Sequence, residues 1–371
     1  MLPSTHRPAY VEVSLDNLKH NLQSEINSVP KGTAVFAVVK ANAYGHGLVR
    51  VARAEVEYGA SGLCVTTLDE ALEIRNAGVK APILVLSITP VQHAILAANN
   101  DISLTIGSLD WLEQAARENV SNLKIHIGID SGMGRIGFRN KQDLIEACNY
   151  IKDNPDKFIP EGLFTHFSTA DNPDKTYFLK QVERFKEMKS DLPIDFKYVH
   201  CANTATALWH QDLAVNMVRF GIGLYGLNPS GTDIPEVPFE LKPALSLHSE
   251  LVFVKEIEKG EKVGYGATYT SEKPEWIGTV PIGYADGWLR RMQGYDVLIN
   301  GQRCQIVGRI CMDQFMVRLP GKLPVGTKVT LIGKDGDEQI TATDAAQYAG
   351  TINYEILCCL TDRLPRIYKQ E

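Results

Sequence analysis

The sequence predicts an α/β protein with two parts, an N-terminal (β/α)8 barrel and a C-terminal, mainly antiparallel β domain. Up to about Tyr225, eight short apolar runs alternate with amphipathic stretches, and turn-rich segments of alternating polarity follow. Alternation of strands and helices implies a parallel sheet, and eight strands is the number that closes a barrel. An open doubly wound sheet is the alternative, but no GxGxxG sequence follows the first run.

The eight apolar runs have the length and the flanking turn residues of buried parallel strands. They cover residues 35–39, 62–66, 82–87, 102–106, 123–129, 161–167, 196–201 and 215–222. Helix-like stretches lie between them, with Ser or Asp near several starts and Gly78 after one end. These stretches include residues 69–77, 109–119, 141–151 and 175–189. The sequence therefore predicts that residues 15–240 form the barrel.

A proline-dense segment, NPSGTDIPEVPFELKP at residues 228–243, is typical of a linker. The runs beyond it, such as LSLHSELVFVKEI and DVLINGQRCQIVG, alternate in polarity and are separated by GEK, NGQ and KDGD turns. Residues 241–371 are therefore predicted to form the β domain. The opening segment YVEVSL alternates in the same way, and residues 1–14 are predicted to add a strand to that domain.

Composition narrows the class of ligand. The 371 residues are too many for one average domain and suit a barrel with a second unit. The net charge of −6, with both signs spread along the chain, provides no basic stripe for nucleic acid and no polybasic segment for a membrane. Seven scattered cysteines without a CxxC pair argue against a disulfide framework and a structural zinc site, and no metal is expected. With no signal-peptide pattern and no long apolar span, we expect a cytoplasmic protein that binds a small molecule.

The most informative segment is AVFAVVKANAYGHG, residues 34–47, in which an apolar run stops at Lys40. The carboxyl ends of barrel strands form the active-site face, so Lys40 places an amine where catalytic groups are found. An arbitrary lysine at a strand end more often extends into solvent. The surrounding residues favour the functional alternative, because VVKANAYGHG resembles the segment of the alanine racemase family whose lysine forms a Schiff base with pyridoxal 5′-phosphate (PLP).

The resemblance to this family extends over nearly the whole chain. Further segments match in order: DSGMGRIGF, FTHFSTAD, HCANTA, VRFGIGLYG, VGYGATY, PIGYADG, GRICMDQ and NYEILC. The resemblance implies a PLP-dependent enzyme that interconverts L-alanine and D-alanine by a two-base mechanism and supplies D-alanine for cell-wall peptidoglycan. It also implies a homodimer in which the active site is shared between the subunits.

The resemblance assigns the two bases to different predicted domains. Lys40 matches the base on one face of the substrate α-carbon, and Tyr265 in VGYGATY matches the base that reaches the opposite face from the partner subunit. The family also uses a relay of a histidine and an arginine, for which His200 and Arg219 are the matching residues. Two-base chemistry requires both proton carriers in one site.

The residues that match PLP contacts are Lys40, Tyr44, His166, Asn203, Thr204, Arg219, Gly221, Ile222 and Tyr354. A glycine that allows close backbone approach and a threonine hydroxyl suit a phosphate; a turn glycine and an N-cap threonine explain the same residues equally well. Arg219 matches the arginine that faces the pyridine nitrogen. Because an arginine only donates, that nitrogen is expected to stay unprotonated, which favours rapid reprotonation of the α-carbon and hence racemisation.

Arg135 in DSGMGRIG matches the residue that hydrogen-bonds the phenolic oxygen of PLP and reaches towards the substrate carboxylate. The other matches line the substrate pocket and its entrance: Tyr284, Cys311, Met312 and Asp313. Met312 is expected to contact the substrate carboxylate through its backbone. An aromatic lining favours a small amino-acid substrate.

The sequence departs from the family at Gly128 in HIGIDSG. Many members of the family have a lysine there that carries a carbamate, whose negative charge orients the loop arginine. A glycine cannot carry that group. Either another anion such as chloride lies beside Arg135, or Arg135 is held in a different way.

Three alternative functions remain open. A serine or broad-specificity racemase would share all of these motifs. A non-catalytic PLP-binding barrel would lack the C-terminal domain and Tyr265. A PLP decarboxylase would need a carboxylate against the ring nitrogen, where Arg219 lies instead. The last two alternatives therefore fit less well than a racemase.

Overall fold

The structure is a computed structural model that describes residues 2–213 and 215–370. Met1 and Glu371, the two ends of the predicted domain ranges, lie outside the described residues, as does Ala214. The chain divides into two compact units. The barrel unit consists of Asn17–Ala43 and Gly47–Lys242. The β unit consists of the residues up to Asp16, the short segment Tyr44–His46 and the residues from Pro243 onward.

The first strand, β1 (Ala9–Ser14), belongs to the β unit, and the next eight strands form the barrel sheet. They are β2 (Ala34–Val38), β3 (Gly62–Val65), β4 (Ile83–Ile88), β5 (Ile102–Ile106), β6 (Leu123–Gly128), β7 (Phe158–Phe164), β8 (Tyr198–His200) and β9 (Met217–Phe220). All ladders are parallel, in the order β8-β7-β6-β5-β4-β3-β2-β9. A bridge between Ala202 and Val218 joins the ends of that order. The eight apolar runs therefore form the eight strands, and the predicted barrel is confirmed.

Helices follow or precede these strands along the chain. They are α1 (Leu15–Ser28), α2 (Lys40–Tyr44), α3 (Leu48–Glu57), α4 (Leu68–Asn76), α5 (Ala94–Asn99), α6 (Leu109–Arg117), α7 (Lys141–Asp153), α8 (Thr176–Lys189) and α9 (Thr204–Trp209). Four of them begin at a side chain that accepts a hydrogen bond from the first turn, which satisfies one otherwise free N–H group. These capping residues are Thr67, Ser108, Asn140 and Asn203.

The β unit contains a ten-stranded sheet and a short hairpin. Its later strands are β10 (Leu245–Glu250), β11 (Phe253–Ile257), β12 (Lys262–Val263), β13 (Tyr269–Thr270), β14 (Glu275–Val280), β15 (Asp296–Ile299), β16 (Gln302–Val307), β17 (Phe315–Leu319), β18 (Lys328–Asp335), β19 (Glu338–Ile340) and β20 (Arg366–Lys369). Two helices, α10 (Ala342–Ala349) and α11 (Asn353–Cys358), complete it. The pairing is antiparallel except between β1 and β20, and β1 also pairs with β10. The C-terminal domain is therefore mainly antiparallel, in agreement with the predicted fold class.

The segment Tyr44–His46 groups with the β unit, although its sequence position lies inside the predicted barrel range. Arg366 donates a hydrogen bond to the carbonyl of Gly45 at 3.0 Å, and the Tyr368 hydroxyl donates to the carbonyl of His46 at 2.9 Å. Gly45 has a φ of +81°, and a side chain there would collide with the backbone of Leu357. Close backbone packing therefore holds this segment in the β unit.

Within residues 2–213 and 215–370, no helix combines the length and the apolar character that crossing a lipid bilayer requires.

Candidate active site

The carboxyl ends of the barrel strands carry the predicted site residues of the barrel unit. Parallel strands in a barrel end on the same face, so residues in these positions approach one another although they are far apart in sequence. They are Lys40 after β2, Arg135 after β6, His166 after β7, Asn203 and Thr204 after β8, Arg219 near the end of β9, and Gly221 and Ile222 after it.

Lys40 opens α2, a turn with an unusual backbone. The four residues from Ala41 to Tyr44 have φ angles of 53°, 55°, 52° and 50°, although none is glycine. Each left-handed residue costs roughly 1–2 kcal/mol, so such a run persists only where neighbouring groups impose it. Asn42 Oδ1 accepts a hydrogen bond from Leu48 N at 2.8 Å, which closes the turn against the start of α3. The backbone that follows the half-buried Lys40 is therefore held in one conformation.

Glu70 also holds this turn and was not predicted as a site residue. One of its oxygens, Oε1, accepts a hydrogen bond from Ala41 N at 2.7 Å. The other, Oε2, accepts from Thr66 N at 2.8 Å and from Thr67 N at 3.1 Å, as part of the capping box of α4. A single carboxylate thus ties the residue after Lys40 to the next strand-helix junction. The Thr-x-x-Glu spacing at Thr67 was the available sequence signal for the cap, but it does not reveal the contact with Ala41.

Arg219 is 3 % exposed and is the centre of a hydrogen-bonded cluster. Its guanidinium donates to Nδ1 of His200, to the carbonyl of Thr165 at 2.9 Å and, over 3.4 Å, to Nδ1 of His166. A guanidinium has no acceptor, so both histidine Nδ1 atoms must be unprotonated. Both rings are therefore neutral, with the proton on Nε2.

The pKa values of these histidines agree with that assignment. Burial lowers the pKa of His166 to about 3, and the positive charges of Arg219, Arg135 and Lys40 contribute in the same direction. Burial, with the charge of Arg219, also holds the pKa of His200 well below its usual range. Arg135 is exposed, and no residue within 2–213 or 215–370 forms a hydrogen bond or ion pair with its guanidinium. This end of the barrel is therefore strongly positive and suits an anionic ligand.

Two turns present backbone N–H groups near Thr204. The helix α9 begins at Thr204, and a short 3-10 turn, Ile222–Tyr225, begins after Gly221. Thr204 Oγ1 accepts from Gly221 N at 2.9 Å and from Gly223 N at 3.4 Å. A Cβ atom at Gly223 would lie 2.6 Å from the Phe220 ring, so only glycine fits. The first N–H groups of a helix lack intrahelical acceptors, and such groups bind phosphate.

In the β unit, Tyr265 lies on a 3-10 turn, Tyr265–Ala267, and is 71 % exposed. Glycines with φ of +75° and +73° flank it at Gly264 and Gly266. A Cβ atom at Gly266 would lie 2.9 Å from Nη1 of Arg309. No other residue of the described chain contacts the Tyr265 hydroxyl by a hydrogen bond. The turn therefore presents a phenol that is open to approach.

Two loops bring together Tyr284, Cys311 and Met312. Tyr284 N donates to the carbonyl of Cys311 at 3.1 Å, and Ala285 N donates to the carbonyl of Met312 at 3.0 Å. A side chain at Gly283 would collide with these two carbonyls. The partly exposed Tyr284 and Met312 side chains are thus presented by one paired backbone segment.

An ion cluster holds the same two loops. Asp286 is fully buried and accepts a bidentate pair of hydrogen bonds from Arg7, at 2.9 and 2.5 Å. Arg363 lies 3.4 Å from Asp286 and 2.8 Å from Asp313. A buried carboxylate needs such partners, since its desolvation is costly. Asp313 is thereby connected to the loop that carries Tyr284.

Two further predicted residues of the β unit, Tyr44 and Tyr354, meet with ring centroids 6.1 Å apart. In the barrel unit, a Cβ atom at Gly128 would lie 3.3 Å from the ring of Phe164. Phe164 therefore occupies the space beside Gly128 that a longer side chain at this position would need.

The fold and the site define a class of protein: an enzyme built on a parallel barrel that holds an anionic cofactor at the carboxyl ends of its strands. The sequence profile "Alanine racemase, N-terminal domain" matches residues 13–229, and "Alanine racemase, C-terminal domain" matches residues 244–368. An alanine racemase of Ligilactobacillus salivarius is 55 % identical over 372 residues, which covers 100 % of both chains.

Solved structures agree with these matches. A crystal structure of alanine racemase from E. faecalis superposes with a TM-score of 0.97 at 48 % identity and covers 100 % of both chains. A histidine racemase from Leuconostoc mesenteroides subsp. sake superposes with a TM-score of 0.94 at 36 % identity, also over 100 % of both chains. The chain belongs to the alanine racemase family.

The family depends on PLP, and the residues at the barrel end fit this cofactor. The backbone N–H groups of Thr204 and Ile222 suit its phosphate, and Gly221, which has no side chain, lets the backbone approach it. The positive charges of Lys40, Arg135 and Arg219, which all act on His166, suit the overall negative charge of PLP.

Proposed function

We propose that this protein is a PLP-dependent racemase that interconverts L-alanine and D-alanine. The observation that carries the proposal is the Arg219 cluster, a buried guanidinium between two neutral histidines at the barrel end that also bears Lys40. The alanine racemase of Ligilactobacillus salivarius, 55 % identical over the full length, supports the choice of alanine.

Lys40 would hold the cofactor covalently through its amine. The other residues of its site are those that the sequence and the strand ends indicate: Tyr44, His166, Asn203, Thr204, Arg219, Gly221, Ile222 and Tyr354. PLP, when bound, withdraws electrons from the substrate α-carbon and so makes its C–H bond acidic. The protein residues then decide where the proton goes.

Two residues move that proton. Lys40 Nζ accepts or returns it on one face of the α-carbon, and Tyr265 Oη does so on the opposite face. Arg219 offers donors only and does not release a proton, so a ring nitrogen against it would stay unprotonated. The cofactor would then withdraw less charge from the α-carbon, which would favour return of the proton by Lys40 or Tyr265 and hence racemisation rather than transamination.

The remaining site residues would bind the substrate and determine which amino acid is accepted. The guanidinium of Arg135 and the backbone of Met312 would bind the substrate carboxylate, and Tyr284, Cys311 and Asp313 would line the approach. The paired loops and the Asp286 ion cluster support this assignment, because they hold Tyr284 and Met312 next to each other. A tyrosine-lined entrance favours a small amino acid.

The protein is further proposed to act as a homodimer in the cytoplasm, with Lys40 from one subunit and Tyr265 from the other in each site. The 71 % exposure of Tyr265 supports a role towards a partner subunit. D-alanine formed in this way would serve the synthesis of cell-wall peptidoglycan.

The activity is tested by chiral analysis. The purified protein is loaded with PLP and incubated separately with L- and D-alanine, L-serine and L-histidine. We expect both alanine enantiomers to reach an equal mixture and the other substrates to react more slowly. Absence of alanine racemisation in a fully PLP-loaded preparation would contradict the proposal.

The cofactor attachment is tested independently. Borohydride reduction of the loaded protein, followed by peptide mass mapping, should place the label on Lys40. A label on any other lysine would contradict the assignment.

A racemase for a different amino acid is the second candidate, because the histidine racemase shares the fold over its whole length at 36 % identity. Faster racemisation of histidine or serine than of alanine in the same panel would favour this candidate and leave the cofactor and proton assignments unchanged.

A further inference from the structure

A chain of hydrogen bonds leads from Arg219 into the barrel interior. Beyond the contact between Arg219 and His200, Nε2 of His200 lies 2.9 Å from Nδ1 of His126. Nε2 of His126 lies 3.2 Å from Oε2 of Glu161, which also accepts a bond of 2.5 Å from the Ser103 hydroxyl. The five residues lie on five neighbouring strands, β5 to β9, and none is more than 8 % exposed. Of these five residues, only Arg219 and His200 have a role in the family's chemistry described above.

The positions of the protons follow from the two ends of this chain. Arg219 can only donate, so Nδ1 of His200 accepts and the proton of His200 is on Nε2. His200 donates that proton to Nδ1 of His126, so the proton of His126 must be on Nε2. His126 donates its Nε2 proton to Glu161, which, as a carboxylate, can only accept. Reversing the order would set two donors against each other at Arg219, so only one arrangement satisfies every group.

Charge supports the same arrangement. The acceptors that Arg219 contacts directly are neutral: the two histidines and the carbonyls of Thr165 and Cys201. Burial lowers the pKa of His126, although Glu161 acts in the opposite direction. Burial alone would raise the pKa of the Glu161 carboxyl, but hydrogen bonds from His126 and Ser103, assisted by the charge of Lys124, hold that pKa below its usual range. An ionised carboxylate therefore ends the chain that begins at a buried guanidinium.

We propose that Glu161 is a positioning residue of the active site, which fixes the Nε2 protons of His126 and His200 and thereby holds Arg219 in its donor-only contact at the barrel end. Without this acceptor, His126 is free to carry its proton on Nδ1. The proton of His200 can then move to Nδ1, where it opposes the Arg219 donor and displaces the guanidinium. The consequence for catalysis rests on the proposed racemase function, whereas the positions of the protons do not.

The direct test is nitrogen NMR of the PLP-loaded protein with labelled histidine rings, in which variants of His126 and His200 assign the signals. In the wild-type protein, both rings should show a protonated Nε2 and an unprotonated Nδ1 at neutral pH. In Glu161→Leu, both should show mixed tautomers. Ser103→Ala, which removes the other partner of the same oxygen, is the matched control and should keep the wild-type pattern.

Glu161→Gln is the conservative variant. Its carboxamide oxygen, placed where Oε2 lies, can accept from both His126 and Ser103, so it should restore the wild-type tautomers. A wild-type His200 with its proton on Nδ1 would overturn the proposal, even if no Leu variant folds. Unchanged tautomers in a folded Glu161→Leu protein would overturn it as well.

Activity provides a second readout. In Glu161→Leu, kcat should fall roughly 10- to 100-fold with little change in KM, because the geometry at Arg219 and not substrate binding is disturbed. The absorption spectrum of bound PLP should change at the same time. The kcat of the double variant Glu161→Leu/His126→Leu should be no lower than that of the poorer single variant, since both residues act through the same chain of hydrogen bonds. Additive losses would overturn the proposal, whereas a wild-type protein that fails to racemise would contradict only the proposed function.

Discussion

The two proposed proton carriers are held in opposite ways by their units. In the barrel unit, Lys40 begins a left-handed turn that Glu70 and Asn42 fix by hydrogen bonds. In the β unit, Tyr265 lies 71 % exposed on a glycine-flanked turn, and its hydroxyl contacts no residue of the described chain by a hydrogen bond. One carrier is positioned by its own surroundings, and the other is presented outward.

The two bases therefore differ in what positions their side chains. Four non-glycine residues in the left-handed region require neighbouring groups to offset several kcal/mol of strain. An exposed phenol costs little to place, but within the described residues no hydrogen bond orients its hydroxyl. The homodimer proposed above would supply such a partner from the other subunit.

Replacing each of the two proposed proton carriers in turn should have the largest effect on racemisation. Lys40→Ala and Tyr265→Ala should each lower racemisation by roughly 10²- to 10⁴-fold, because each removes one of two required bases. Co-expression and purification of mixed dimers should then restore about half of the wild-type activity, since one of the two sites regains both residues. The measurement is racemisation by the isolated mixed dimer.

Mixed dimers that bind PLP but remain inactive would show that both bases come from the same chain. Homodimers of each variant, purified in parallel, control for incomplete separation.

Arg219→Glu changes the barrel unit and should have the next largest effect on racemisation. A carboxylate in place of the guanidinium can accept a hydrogen bond from the protonated ring nitrogen and therefore favours its protonation. Racemisation should fall roughly 10²- to 10³-fold, and the ratio of transamination to racemisation should rise. Keto-acid formation, chiral analysis and the cofactor spectrum measure these changes. Normal racemisation with an unchanged spectrum would refute the role of Arg219.

Glu70→Ala should loosen the turn that holds Lys40. Ala41 N loses a charged acceptor and α4 loses its capping box, so the free energy of unfolding should fall by about 1.5–3 kcal/mol. Denaturant unfolding gives this value, and a lower kcat should accompany it. Asp69→Ala, an exposed neighbour, is the control. Equal stability of the two variants would show that the Glu70 contacts do not hold the turn.

Gly266→Ala should disturb the turn that carries Tyr265. The residue has a φ of +73°, and the new methyl group would approach the Arg309 guanidinium. We expect a loss of about 1–2 kcal/mol in stability from the backbone alone. Gly350→Ala, with a φ of +64° and no atom within 4 Å, isolates this backbone cost. A fall in kcat for Gly266→Ala beyond that for Gly350→Ala would show that the orientation of Tyr265 matters.

Within residues 2–213 and 215–370, the Arg135 guanidinium, like the Tyr265 hydroxyl, has no hydrogen-bond or ion-pair partner, and an anion beside Arg135 is predicted to orient it. Removing halide and carbonate should then lower activity by a few-fold and reversibly, as expected for loss of one exposed charge pair. Racemisation measured before and after chloride is restored tests this. Complete indifference to both anions would show that Arg135 needs no such ion.

Much of the architecture was evident from local sequence. The eight apolar runs form the eight barrel strands, because a parallel strand covered on both faces requires continuous apolar residues. The position of Lys40 after the first of them, and of Arg219 near the end of the last, follows from the same pattern. The family resemblance of VVKANAYGHG and VRFGIGLYG added the chemical roles, which remain predictions until tested.

The sequence by itself thus determined the fold class and which residues stand at the strand ends. The tertiary structure alone decided the left-handed turn after Lys40, the contact from Glu70 to Ala41 and the grouping of Tyr44–His46 with the β unit. It also decided the partners of His126, which lie 74 and 35 residues away in sequence. The physical reason is that periodicity reports which face of an element is buried, whereas a hydrogen bond depends on which distant residue the closed barrel places within hydrogen-bonding distance.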